Sequence, residues 1–347
     1  MVFFQICNIF AENFERMKIL GIGNALVDIL AKLPNDELLK ELNVKKGSMN
    51  LIEEEMRKEL LEKIKTMDLK MTTGGSVSNT SLALRQMGTS SGYIGKVGND
   101  EYGRFYINEL TEAGVDLHLI HESGFTGTAI AMITPDGERT FCTYLGAAAG
   151  MQKSEIQKSV LEQYTHLYVE GYLVQNHDLI EGVMKMGKSL GLTIMLDLAS
   201  FNVVASDRAF IRKLTEKYVD ILFANEEEAI AFTEKTSTGE AIHEIAHYVK
   251  IAILKEGDKG SWIKYNSELI HVPVYKKAKP IDTTAAGDYY AAGFFYGMMN
   301  DAGLGKCAQL GSLLSYYIIQ VVGTKLSPEV WKEIREKAKK ILNGKSM

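Results

Sequence analysis

The sequence predicts an α/β fold, a doubly wound and mostly parallel sheet flanked by helices with a small β-rich lid, and three observations carry that expectation. Short runs rich in Ile, Leu and Val recur as KILGIG, SGYIGKV, THLYVEG, LTIMLDL, VDILFAN and KIAILKEG. Helical patterns separate most of them, the alternation expected of a parallel sheet. Two stretches, about 29–53 and 119–146, break the rhythm with strand-like pieces and no long helix.

The first strand begins at Lys18 within MKILGIGNALVD, and residues 1–16 read as an extension ahead of it. TGTAIAMIT and RTFCTYLG flank the turn PDGE, so the two irregular stretches together predict a lid able to exclude water from a reacting centre. Apolar residues at helical spacing predict helices over Asn79–Met87, Glu101–Ala113, His177–Leu190, Asp207–Tyr218 and Glu226–Thr233.

A chain of 347 residues, 46% hydrophobic and 24% charged, can bury one large core, expected over 17–345. The net charge of -5 gives no general reason to bind nucleic acid or an anionic membrane. No apolar run reaches the roughly 20 residues of a membrane-spanning helix. Cys7, Cys142 and Cys307 are too few and too scattered for a disulfide framework or a thiolate metal cluster, and a reducing cytoplasm is the simplest setting. The N-terminal stretch lacks a basic region and carries Glu12 and Glu15 where a signal peptide would end.

Ligands of open α/β sheets lie beyond the carboxyl ends of the strands, which selects Asn24, Asp28, Asn225, Glu228 and the loop after Leu254. The strongest local signal is Asp282-Thr283-Thr284-Ala285-Ala286-Gly287-Asp288, leading directly into the apolar segment YYAAGFFYGMM. Small residues at a helix start let backbone N–H groups approach an anion, and a carboxylate there can take a proton from an attacking hydroxyl. Read alone, Asp288 could equally be a helix cap. A second segment, Gly74-Gly75-Ser76-Val77-Ser78-Asn79, pairs glycines ahead of a helix with an amide able to bind hydroxyls.

Together the two segments resemble the signature regions of the ribokinase and adenosine-kinase family, the PfkB carbohydrate kinases, and the resemblance runs from Met17 to about Leu342. It implies a ribokinase-like kinase that uses ATP and Mg2+, acts on a small nucleoside or sugar, and is a monomer or homodimer. Asp288 then looks like the catalytic base, with Ala285, Ala286 and Gly287 forming the anion hole. Asn225 to Glu228 resembles the family's N-x-x-E segment, in which Glu228 would organise Mg2+ through water. Lys255, Gly257 and Gly260 would form the ATP-side loop, and Asp282 and Thr284 would hold a monovalent cation such as K+. Asn24 and Asp28, four apart as in the adenosine-kinase branch, would bind the sugar with Gly74, Gly75 and Asn79. Tyr172 or Phe141 could stack on a base or belong to the core.

Two positions depart from the family pattern. Ala285 replaces a glycine, and a negative φ is expected there; Val77 replaces a smaller residue and is expected to narrow the substrate pocket. Other readings are a free-sugar kinase and a non-catalytic nucleoside-binding protein. His243-Glu244-Ile245-Ala246-His247 spells a zinc-hydrolase motif but lacks a convincing third ligand. A dinucleotide fold fails where Leu26 takes the place of the next glycine after Gly21 and Gly23.

Overall fold

The apolar runs pair side by side because they are buried on both faces, and such strands need no alternation of apolar and polar residues. The computed structural model describes residues 17–344; the predicted extension 1–16, with Cys7, lies outside the described residues. Fourteen strands form among them: β1 Ile19–Ile22, β2 Leu26–Lys32, β3 Met49–Leu51, β4 Leu69–Gly74, β5 Ser91–Gly98, β6 Asp116–Glu122 and β7 Gly127–Ile133, then β8 Arg139–Tyr144, β9 His166–Glu170, β10 Thr193–Asp197, β11 Ile221–Asn225, β12 Ile251–Lys255, β13 Ser261–Tyr265 and β14 Glu268–Val272. Nine of them make a sheet in the order β14-β13-β12-β11-β10-β9-β1-β5-β6. It is parallel from β12 to β6 and closes with the antiparallel β13 and β14.

Each face carries its own core. Tyr93, Tyr168, Phe223 and Ile253 pack under the helices Ala286–Met299 and Leu304–Ile318. Leu20, Val169, Leu222 and Leu254 pack under His177–Ser189, Phe201–Tyr218 and Glu226–Thr233. The helix Ala286–Met299 is buried from Tyr289 to Met298, which explains an apolar sequence without a polar stripe.

The remaining five strands form a small sheet in the order β3-β8-β7-β2-β4. It differs from the sequence expectation at both ends. β2 already starts at Leu26 and β4 supplies its outer partner, whereas β6 leaves the second irregular stretch to pair with β5 in the large sheet. The expected helix at Asp207 starts earlier, at Phe201, because the Ser200 side chain accepts from the Val203 N–H and caps the extra turns; Asp207 itself (φ -135°) marks a kink. His243 lies on the helix Thr238–Ile245, which ends before His247, so the two rings do not share a helical face. Among the described residues no group of three His, Cys, Asp or Glu side chains is placed to hold a metal, and no helix is long and apolar enough to cross a membrane.

Candidate active site

Strand order reverses between β1 and β9, and ligands of such sheets bind at that crevice. Here a cleft of about 1180 Å³ opens between the carboxyl ends of the large sheet and one face of the small sheet. Asn24 leaves β1 and donates to Glu170 Oε1 at 3.1 Å. Asp28 follows on β2, against the paired glycines at the end of β4. A Cβ on Gly74 would lie 2.0 Å from Asp28 Oδ1, and Gly75 has φ +93° with Asn24 O 2.2 Å from its Cβ position. Both glycines are therefore dictated by close approach to Asp28 and Asn24.

The chain then enters the helix Ser76–Gln86, whose first turn meets Asp288. Ser76 Oγ donates to Asp288 Oδ1 at 2.7 Å and Asn79 Nδ2 to Oδ2 at 2.9 Å. Asn79 thus grips the carboxylate rather than pointing freely into the cleft. Withdrawal from water pushes the Asp288 carboxyl up to about 6; the two hydrogen bonds and Lys255 act against that rise. Asp28 is pushed up to about 7 by loss of hydration, then by Asp288 and Asp282, and buried Glu170 reaches about 7, again chiefly from burial.

Ala285 corrects the expectation of a negative φ: it sits at φ 62°, ψ 8°, in the left-handed region. That turn lets the loop reverse into the helix, with Tyr289 N–H donating to Ala285 O at 2.9 Å. Alanine in this conformation costs about 1–2 kcal/mol. Ala286 and Gly287 follow along the cleft; the Ala286 N–H already donates to Thr283 O at 3.1 Å, so it is from Gly287 onward that the helix start offers N–H groups without a carbonyl partner within the helix. Val77 is a second correction. It is fully buried, and a Cβ on Gly21 would lie 2.3 Å from its Cγ1, so it packs against β1 and leaves the cleft unnarrowed.

On the opposite flank, Asn225 caps the helix Glu226–Thr233 and engages Glu228 reciprocally: Asn225 N–H reaches Oε2 at 2.8 Å and Asn225 Nδ2 reaches Oε1 at 2.7 Å. Burial, then Asp197, pushes the Glu228 carboxyl up to about 7. Lys255 ends β12 with its Nζ 3.0 Å from Asp197 Oδ2. Gly257 opens a short 3-10 turn on the cleft edge. Gly260 (φ +100°) has a structural cause, since a Cβ there would lie 2.2 Å from Val272 O.

The sequence reading passed over Glu170, Asp197, Ser76 and Arg139. The first two end β9 and β10, so the strand-end rule that selected Asn225 could have found them. Arg139 has no such local signal. From β8 it pairs with Asp282 at 2.7 Å and donates to Thr284 Oγ1 at 3.2 Å.

The sequence pattern of the pfkB family carbohydrate kinases matches residues 40–331. The chain belongs to the pfkB family. Among relatives of this PfkB kinase, adenosine kinase 2 of Arabidopsis thaliana is 25% identical over 339 residues, covering 90% of this chain and 96% of that one. The adenosine kinase of Sinorhizobium meliloti shares 30% identity at a TM-score of 0.84, covering 93% of this chain and 100% of the other. A probable sugar kinase of Rhizobium etli CFN 42 shares 29% identity at the same TM-score, 0.84, covering 94% and 98%. The fold is therefore ribokinase-like and the protein a sugar or nucleoside kinase, a class that implies ATP as donor.

Two ions associated with the family fit the residues differently. Each Glu228 oxygen accepts from Asn225 and keeps lone-pair capacity for water, which suits Mg2+ held through its hydration shell. A monovalent cation at Asp282 does not fit as well. That carboxylate is already neutralised by Arg139 and also accepts the N–H groups of Thr284 and Gly323, at 3.0 and 2.7 Å.

Proposed function

We propose that this kinase transfers the γ-phosphoryl group of ATP to the hydroxymethyl group of a nucleoside, adenosine above others, with Asp288 as general base. The observation that carries the reading is the grip of Ser76 and Asn79 on Asp288, which ties the carboxylate at the anion-binding helix start to the segment bearing Gly74 and Gly75. A hydroxyl resting between Asp28 and Asp288 would lose its proton to Asp288 as its oxygen attacks the γ-phosphorus. The bond to the β-phosphate oxygen breaks in the same step and ADP departs. The Gly287 N–H and its neighbour at the helix start stabilise the charge that spreads over the phosphoryl oxygens. Asn225, Gly257 and Gly260 flank the nucleotide. Glu228 would hold Mg2+ through water, and that ion would neutralise phosphate charge.

Two features favour adenosine. Asn24 and Asp28 keep the spacing of the adenosine-kinase branch. In addition, Leu51, Thr143, Ala129 and Asp28 form one row across four strands of the small sheet, with Met49 and Phe141 beside it, and all six line the cleft. An apolar wall next to a hydroxyl-binding carboxylate suits a flat base joined to a ribose. A free sugar is the second reading, supported by the equal structural likeness to the Rhizobium etli protein.

A coupled ATP-consumption assay over adenosine, other nucleosides, fructose and ribose tests this. Adenosine should give the highest kcat/KM, and 2',3'-dideoxyadenosine should fall at least about a hundredfold below it. A far higher kcat/KM for a free sugar would overturn the nucleoside assignment.

A further inference from the structure

We infer that Lys255 is a catalytic residue: its ammonium, paired with Asp197 at the cleft, turns to the oxygens of the phosphoryl group during transfer. The inference rests on the kinase reading above and adds to it a cation supplied by the chain itself.

Two buried lysines can be compared within the molecule. Lys96, with a side chain 6% exposed, is saturated: its Nζ lies 2.9 Å from Gly150 O, 2.9 Å from Glu122 Oε2 and 3.0 Å from Glu155 Oε1. Its hydrogen bonds go to the Gly150 carbonyl and to both Glu155 oxygens, with Glu122 adding an ion pair. Lys255 is nearly as enclosed, at 15% side-chain exposure, yet its one hydrogen bond among the described residues goes to Asp197 at 3.0 Å. Two donors remain for a ligand. They face the cleft, where a ligand can take them in place of water.

The location says what would arrive. A Cβ on Gly287 would lie 3.2 Å from Lys255 Nζ, so the ammonium stands against the backbone of the anion hole. The same ammonium interacts with Glu228 and Asp288 as well as Asp197. Burial works against its charge, but these three carboxylates outweigh burial and hold its pKa above the ordinary value, so it is a cation at every working pH. Asp197 is fixed independently by the Ala199 N–H, which donates to Oδ1 at 2.9 Å. It can therefore keep its place while Lys255 moves. A carboxylate facing an ammonium beside an anion hole stands where a second anion, the phosphoryl group, would compete for the same cation.

In the transfer step Lys255 neither gains nor loses a proton. The acceptor hydroxyl proton goes to Asp288, the new O–P bond forms, and the bond to the β-phosphate oxygen breaks. Lys255 donates two hydrogen bonds to non-bridging oxygens as their charge redistributes, then returns to Asp197 when product leaves.

The test compares Lys255→Met, Asp197→Asn and the charge-neutral double variant with the wild type. Lys255→Met should lower kcat about a hundred- to a thousandfold, the size expected for losing a cationic donor at a developing charge. It should also erase the preference for ATP over ADP in equilibrium binding, a readout independent of turnover. Asp197→Asn should keep kcat within about tenfold of wild type, because the ammonium remains. The double variant should regain the thermal midpoint lost by Lys255→Met without regaining kcat. Recovery of kcat in the double variant would reduce the pair to a structural bridge and overturn the inference, as would an Asp197→Asn enzyme as slow as Lys255→Met or an unchanged ATP-to-ADP preference. Wild-type turnover on the acceptor panel tests the kinase reading separately.

Discussion

Asp220, just ahead of β11, and Asp288, beyond the opposite ends of the strands, are both set into the body of the protein, but their surroundings differ in kind. Asp220 is 5% exposed and meets Lys188 at 2.8 Å, Lys250 at 3.0 Å and the Ile194 N–H at 2.9 Å. Burial alone would raise its carboxyl, yet the two lysines and the amide hold it below the usual carboxylate range. At the cleft end Lys255 acts on Glu228 and Asp288 but on neither Asp28 nor Glu170, and the four carboxyls, Asp28, Glu170, Glu228 and Asp288, are pushed up to about 7, 7, 7 and 6, in each case chiefly by burial. One end of the sheet matches each negative charge with positive ones. The other is left short of positive charge, which is where arriving cations and moving protons have most to gain.

Removing the charge of the base should separate the two ends most sharply. Asp288→Asn should lower kcat about a thousandfold or more while leaving nucleoside affinity within a few fold, since the amide keeps the shape but cannot take the proton. In the wild type kcat/KM should fall as pH drops through about 6, where Asp288 becomes protonated, and titration of the other raised carboxyls near 7 would steepen the loss. A variant that keeps a tenth of wild-type kcat, or a wild type with no acid limb, would break the assignment.

Neutralising one carboxylate at each end should change stability with opposite signs. The folded pKa of Asp28 lies above its unfolded value, so its contribution to stability is fully present below about pH 4 and is lost as pH rises to about 7. Asp28→Asn should therefore raise stability at pH 8 by about 2 kcal/mol, while weakening acceptor binding. Asp220 is the reverse case. Its stabilisation is present above its unfolded pKa and is lost as pH falls through its depressed folded value, so Asp220→Asn should cost about 1–2 kcal/mol at pH 8 with kinetics unchanged. Equilibrium denaturation of both variants at pH 8 checks the pair; shifts of the same sign would remove the contrast.

The smallest effect concerns the backbone within the second motif. Ala285→Gly relieves a left-handed alanine at the cost of a more flexible unfolded chain, for a net gain of about 1 kcal/mol. Thermal unfolding would show it, and a loss of stability would indicate that the methyl group is needed for packing.

What the sequence revealed follows the range of the interactions concerned. The helix over Glu226–Thr233 and the strands ending at Asn225 and Lys255 were legible because apolar spacing is a local property. So were both motifs, as each lies within seven residues. Ser200 as a cap moved one helix start, and a short polar strand, LKMTTG, was too weak a pattern to be read before its partner β2 was in view. The sign of φ at Ala285 depends on how loop and helix join, which composition does not encode. Arg139 meeting Asp282, and Lys255 meeting Asp197, join residues far apart in the chain, and no period in the sequence announces them.

The small sheet carries a further consequence, for how such a protein can diversify. β2 continues directly from β1 through Asn24, and β4 runs directly into the helix Ser76–Gln86, so the residues proposed to bind the acceptor travel with an inserted stretch of chain. Asp288, Glu228 and Lys255 all come from the later half of the sequence. Exchange or drift of the early insertion can change which alcohol is presented without disturbing the later residues, so descendants of one such gene can inherit the same phosphate chemistry and serve different metabolites.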